Sequence, residues 1–373
     1  MRKSISSLST LAALFLVACV PAPLKTHRLS AIEQGASVQP ADHAPHSTAQ
    51  TEWWHVHAEL SDVATGEPLH LFGAFIVERT QLDWALFVPV APFVNPFHSA
   101  VLKLQTKDET HVAHQVAFPD RFAARFRGDG LDLRHGSWRI AAEEGTVLYR
   151  ASAGRQGVDL RLTPTRPAAH PGENGRVELR PGSAHLWEQM EQMDVQGRWH
   201  DGKQTRWVEG TGFFKHQWGR LYDQGFDGFQ WFSADLPDGR SMSLAWLLED
   251  GMSGVPGSMG FLSSASGELE ELSIEQMRVT PTNHWRSARS GSKWPTAWTI
   301  SGPELDLTVE ALQENQELWV FPTSIYAGPA HLQGSAFGQD IDQLCFIEQV
   351  GARAPLLRPL LKSRPPRALV EVR

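Results

Sequence analysis

VDLRLTP, residues 158–164, alternates Val158, Leu160 and Leu162 with Asp159, Arg161 and Thr163, the two-residue period of a strand with one face in a core and one in water. LDLTVEA, residues 305–311, repeats the pattern with Leu305, Leu307, Val309 and Ala311 against Asp306, Thr308 and Glu310. Turn-forming clusters separate such runs: Ala64-Thr65-Gly66-Glu67-Pro68, Arg127-Gly128-Asp129-Gly130, Pro237-Asp238-Gly239 and Ala265-Ser266-Gly267. No long amphipathic helical pattern interrupts them before the C-terminal end. The fold expected is all-β, two tandem antiparallel barrels with little helix.

The first residues, MRKSISSLSTLAALFLVACVPAP, have a basic start, an apolar run from Leu11 to Ala18 and small residues after it, the plan of a secretory signal. The run is too short to span a bilayer as a finished helix. It ends in Leu16-Val17-Ala18-Cys19, which resembles a bacterial lipobox, so Cys19 is expected to be the diacylated first residue of the mature chain. Acyl chains gain about 0.8 kcal/mol per buried methylene, enough to hold a multiply acylated protein on a membrane surface. Val20, not Asp, follows the cysteine, and sorting to the periplasmic face of the outer membrane of a bacterial envelope is the expectation.

The expected organisation is a signal peptide at 1–18, a lipidated N-terminus and flexible tether at 19–48, barrel domains at 49–218 and 219–352, and a basic, Pro-rich tail at 353–373. Without the signal, 32 basic residues stand against 42 acidic ones, which argues against nucleic acid as a partner. The second of two cysteines is Cys345, so acylation of Cys19 leaves no intrachain disulfide, and stability must come from burial. Cys345, in QLCFIEQ, reads as a buried strand thiol rather than a nucleophile. The chain holds 14 Trp and 3 Tyr, a supply of large apolar rings that serves equally as core or as cavity lining.

TEWWHVHAEL, residues 51–60, is the densest cluster. On a strand, His55, His57 and Glu59 share a face that a zinc ion accepts if a fourth ligand comes from elsewhere, but no second set with ligand spacing follows. A half-buried strand whose Trp side chains plug a barrel is the better reading, and neither metal nor other cofactor is expected. There is no Gly-x-Ser-x-Gly elbow, no nucleotide-binding glycine loop and no His-Glu-x-x-His.

Glu52-Trp53-Trp54, then His57 and Leu60 with a returning strand ending in Arg79, resembles the opening of the lipocalin-like family named for AttH and the carotenoid 1,2-hydratases. LTPTRPAAHPGENG, GTGFFKHQWG (residues 210–219), DGFQWFSADLPDGR and the Trp285 to Trp298 stretch resemble later family segments in the same order. The resemblance covers about residues 51–350 and implies two lipocalin-like barrels with ligand space in or between them. Members of that family hydrate acyclic carotenoids, guide pericyclic ring closures in fungi, or are bacterial envelope proteins, some associated with ABC transporters.

Hydrating an isolated alkene needs an acid to protonate carbon, an apolar pocket, and aromatic faces for the developing cation. The resemblance assigns this set to a His-x-Trp pair, matched by His185 and Trp187, and to a Tyr-x-Asp pair that falls on Phe213 and Lys215. Lysine in place of the acid reverses the direction of proton transfer, and His216 points to the other face of the strand. Three readings follow. The leading one is a lipid-anchored envelope protein that binds an apolar or amphipathic molecule or lipid and serves a membrane partner such as an ABC transporter permease. The others are a hydratase-like or pericyclase-like enzyme on an isoprenoid or polyene, with His185, Trp187, Lys215 and His216 as candidates, and an assembly lipoprotein without a small ligand. The expected ligand-facing residues are Trp53, Trp54, His185, Trp187, Phe213, Lys215, Trp218 and Tyr326. Alternation leaves open which face of strand 210–219 sees the ligand.

Overall fold

The structure, a computed structural model, describes residues 32–33, 35–39, 42–79, 84–85, 88–89, 96–117, 124–126, 130–180, 183–220, 228–249, 252–253, 258–320 and 323–351. Cys19, the signal stretch and the basic tail lie outside them. Among the described residues the helical content is one 3-10 turn, Ile274–Gln276, and no helix is long and apolar enough to cross a membrane.

Two antiparallel sheets, each curled into a half-barrel, account for nearly everything else. The first has twelve described strands and runs from Thr51–Asp62 to Thr205–Gly219 in sequence; the second has eleven and runs from Gly228–Asp235 to Gln339–Val350. In each sheet the first strand pairs with the last, so the chain ends each half beside its beginning. The strands read from alternation are present: Gln156–Thr163 and Leu305–Ala311 bury the apolar set named above, Ala311 only partly, and expose the polar one.

Each half-barrel is filled by its own aromatic core. Trp54, Phe75, Trp138, Tyr149 and Trp199 pack in the first, and Trp246, Trp294, Trp298 and Tyr326 in the second. A third apolar layer belongs to both sheets and lies between them, with Trp53, Phe72, Trp187 and Phe213 from the first against Trp231, Phe261, Ala327 and Phe346 from the second. Strand Thr51–Asp62 is therefore sandwiched, and its first eight residues are all buried.

Part of the stretch expected to be a flexible tether is instead docked. Ile32 and Val38 pack against Ala49, Leu186 and Trp218, and the Val38 amide donates to the Asn174 carbonyl at 3.0 Å. The physical reason lies in its histidines: His43 and His46 find buried carboxylates on the first sheet, at Glu188 and Glu52.

Candidate functional site

Period-2 alternation sorts the site residues onto two faces. On strand Thr51–Asp62, Trp54, Val56, Ala58 and Leu60 point into the first half-barrel, while Trp53 joins the layer between the sheets. On the neighbouring strand Thr205–Gly219, Phe214 enters the half-barrel and Phe213 the layer, so Lys215 faces the second sheet and His216 faces inward. On Ser183–Asp201, Trp187 faces the layer and alternation carries Glu191 to the same side, while a bulge between Met190 and Met193, with Gln192 in the left-handed region at φ 48°, turns Met193 into the first core.

At the centre of the layer sits a buried ion pair that joins the sheets. Lys215 Nζ donates to Glu348 Oε2 at 3.1 Å and lies 3.9 Å from the centroid of the Trp231 ring. His55 Nδ1 is 3.3 Å from the same carboxylate oxygen. Burial pushes Glu348 up, but His55 and Lys215 outweigh it and bring its pKa down to about 2, so the carboxylate stays ionised. Burial lowers Lys215, and Glu348 opposes that shift. Lys215 is thus an ion-pair partner for the other half-barrel, with an aromatic face beneath it.

A second buried lysine, whose pKa burial pushes well below the ordinary lysine range, crosses the same layer. Lys103 Nζ donates to Gln316 Oε1 at 2.7 Å and to the Ala327 carbonyl at 2.8 Å. Gly328 leaves the space for both groups: a Cβ there would collide with the Gln316 amide and the Lys103 side-chain nitrogen.

Beside the ion pair lies a cavity of about 300 Å³ walled by both sheets, with His57, Glu59, Glu191 and Phe213 on one side and Asp235 and Phe346 on the other. Burial, and then the nearby Asp235, raises Glu59 to about 7. Burial likewise raises Glu191 to about 7, although it accepts hydrogen bonds from Ser263 and, at 2.8 Å, from Gln189. Two carboxyl groups that hold protons near neutrality, together with an imidazole that burial keeps neutral, can donate hydrogen bonds or a proton to a guest.

The inward face carries a different cluster, at the end of the first half-barrel. Glu52 Oε1 lies 3.0 Å from His216 Nε2 and 2.7 Å from His46 Nδ1, and Glu52 Oε2 accepts from the His46 amide at 2.8 Å. His216 stacks on Trp54 at 4.8 Å and on Trp218 at 4.4 Å between ring centroids. Glu188, directly across from His216 in the register, contacts His43 at 3.0 Å and His170 at 3.4 Å. Burial pushes Glu188 up, but His170 and His43 prevail and hold it at about 2.

The expected ligand-facing residues therefore do not form one site. Trp53, His185, Trp187, Phe213 and Lys215 belong to the side between the sheets, where burial, then Lys215, holds His185 at about 4 and leaves it neutral. Trp54, His216 and Trp218 belong to the inward cluster. Tyr326 finishes the second core, its hydroxyl donating to the Gln313 and Glu314 carbonyls at 3.2 and 3.0 Å. Cys345 is buried in that core, where burial pushes its thiol up. His55, His57 and Glu59 share a face as the spacing requires, yet they engage Glu348, Phe346 and the cavity separately rather than meeting at one point. The sequence reading did not single out Glu191, Trp231 or the Glu52–Glu188–His43 cluster, whose members are far apart in the chain. The one available signal was the two-residue spacing of His185, Trp187, Gln189 and Glu191.

Two lipocalin-like half-barrels with a polar seam between them define the class of this molecule. The AttH-like family model matches residues 31–347, and the chain belongs to that family. Among solved structures it is similar to an AttH protein of Nitrosomonas europaea, at TM-score 0.74 and 23% identity over 87% of this chain and 100% of that one. It is also similar to kievitone hydratase of Nectria haematococca, at TM-score 0.67 and 14% identity over 89% of this chain and 98% of that one. CghA, solved with Sch210972, aligns at TM-score 0.50 and 11% identity over 87% of this chain and 97% of that one. At such identities these likenesses establish the fold. No curated protein matches the sequence significantly.

Proposed function

We propose that this protein binds an amphipathic small molecule between its two half-barrels, with the polar end of the guest against Glu59 and Glu191 and its apolar part against Phe213, Phe346 and neighbouring rings. The observation that carries the reading is the cavity of about 300 Å³ walled by both sheets, set against barrel interiors that are filled with Trp side chains. With the Cys19 lipobox and the family resemblance, it supports a lipid-anchored carrier on the periplasmic face of a bacterial outer membrane, exchanging its guest with a membrane partner such as an ABC transporter permease. Native mass spectrometry of protein extracted from membranes tests the binding: a co-purifying lipid or polyene supports it, and repeated recovery of empty protein counts against it. Cys19→Ala should release the protein from the membrane fraction with its fold intact; retention there contradicts the anchor.

A second reading, hydration of an alkene, is favoured by one specific observation. Glu59 and Glu191, each raised to about 7, supply the acid that is absent at Lys215. The carboxyl would give its proton to one alkene carbon, water would add to the resulting cation, and the excess proton would return to the carboxylate. The likeness to kievitone hydratase is compatible with it. Incubation with candidate polyenes should yield a product 18 Da heavier than the substrate by the addition of ~one water, and Glu191→Gln should abolish it; absence of product across the panel sinks this reading and leaves the binding reading standing.

A further inference from the structure

We propose that His43, Glu188 and His216 bind one divalent transition-metal ion, zinc by preference, which clips the N-terminal segment onto the first half-barrel. The three side chains offer ligand atoms that all lie within 4.8 Å of one another, and the His216 and Glu188 residues are buried. Zinc bonds of about 2.0–2.2 Å place tetrahedral ligands roughly 3.3 Å apart, so small side-chain rotations close the site.

What separates this triad from an ordinary polar cluster is which atoms lack hydrogen-bond partners. His216 has 0% exposure, and its Nε2 is engaged by Glu52 while its Nδ1 has no hydrogen-bond partner. His43 Nδ1 and Glu188 Oε2 approach to 3.0 Å as an ion pair without hydrogen-bond geometry, a contact that a metal ion would replace by taking the place of the shared proton. A fully buried imidazole nitrogen without a partner thus stands in the same cluster as a His–carboxylate pair, and an unsatisfied buried nitrogen is costly unless a ligand such as a cation engages it. The neighbouring set of His46, Glu52 and His216 is different, because Glu52 is already bonded to both rings.

The surroundings also have the form of a metal site's outer shell. A ligating imidazole usually donates its other N–H to a carboxylate, as His216 does to Glu52, which fixes the tautomer with Nδ1 as the free lone pair. His170 contacts the second oxygen of Glu188 at 3.4 Å and restrains that carboxylate. Two imidazoles and one carboxylate suit zinc better than calcium or magnesium, and they leave a coordination position for water.

The test uses purified full-length protein stripped with a chelator, titrated with Zn²⁺ alone and, separately, with Co²⁺ for its visible absorption. Binding of one ion per chain is expected, with Co²⁺ bands of four- or five-coordinate type. His43→Ala should weaken Zn²⁺ binding at least as much as Glu52→Gln, for which an outer-shell loss of about 10- to 100-fold is expected. His331→Ala, on the second sheet, should bind as wild type. Chelation should also make the bond region around residues 32–50 more sensitive to protease, and Zn²⁺ should reverse this. If Glu188→Gln fails to fold, His43→Ala carries the test, since its side chain is 23% exposed. Failure of folded wild-type protein to take up one equivalent, or wild-type affinity in folded His43→Ala, overturns the proposal.

Discussion

The opening strands of the two half-barrels carry the same device with different chemistry around it. In the first, Trp53 faces the other sheet and Trp54 its own core; in the second, Trp231 and Phe232 do the same. One residue earlier, however, the first strand has Glu52, bonded to His46 and His216, and the second has the neutral Gln230. The last strands differ in the same way, with the cation Lys215 on one and the anion Glu348 on the other. The shared pattern builds two cores and one seam. The charged residues make the halves complementary rather than interchangeable, and they set titratable groups beside the cavity.

The largest effect expected from disturbing this complementarity is at the ion pair. Removing one partner, by Lys215→Met or Glu348→Leu, leaves a buried charge without its ion-pair partner and should cost about 3–5 kcal/mol, whereas the double change Lys215→Met with Glu348→Leu should recover most of it. Urea denaturation of the three variants checks this; additive losses in the double variant would mean that the pair does not couple the sheets. Next in size is Gly328→Ala, which forces Lys103 and Gln316 to move and should cost about 1–3 kcal/mol. The corresponding Gly338→Ala, at an open turn, should report only the strain of its positive φ, 77°.

The pH dependence should distinguish cavity from pair. Glu59 and Glu191 titrate near 4.5 when unfolded and at about 7 when folded. Their raised values favour the folded state fully below 4.5, and that contribution is lost as pH rises through 7. The change is on the order of 3 kcal/mol for each group. Glu348, lowered to about 2, works in the opposite sense: its contribution is present above 4.5 and lost as pH falls toward 2. Glu191→Gln should therefore roughly halve the alkaline slope between pH 5 and 8, leaving the part due to Glu59, and leave the acid limb unchanged, as read from melting temperature against pH. The smallest effect is expected at Trp207, 60% exposed on the first sheet, where Ala should change stability by about 0.5 kcal/mol or less.

Strands such as Gln156–Thr163 were legible because one face meets water, so apolar and polar residues alternate. The site strand was harder to read, because Thr51–Asp62 is covered on both sides and its alternation is between two kinds of buried residue. Trp53 and Trp54 look alike in sequence, and only the packing of a second sheet separates their roles. For the same reason the orientation of Lys215 and His216 could be stated as opposite but not assigned. Glu348 and its partner, Lys215, are 133 residues apart, a separation that no local pattern bridges. The His43 contacts were hidden by composition: a Pro-, Ala- and His-rich stretch reads as linker until buried carboxylates are placed beneath it.

The central claim is that a guest lies between the half-barrels rather than inside either one. Indole N–H resonances report this directly, because Trp187 and Trp231 line the seam while Trp138, Trp199 and Trp298 fill the cores. Adding the molecule that co-purifies from membranes to delipidated protein should shift the Trp187 and Trp231 signals and leave the core indoles in place. Shifts confined to Trp138, Trp199 or Trp298 would place the ligand inside a barrel and contradict the account.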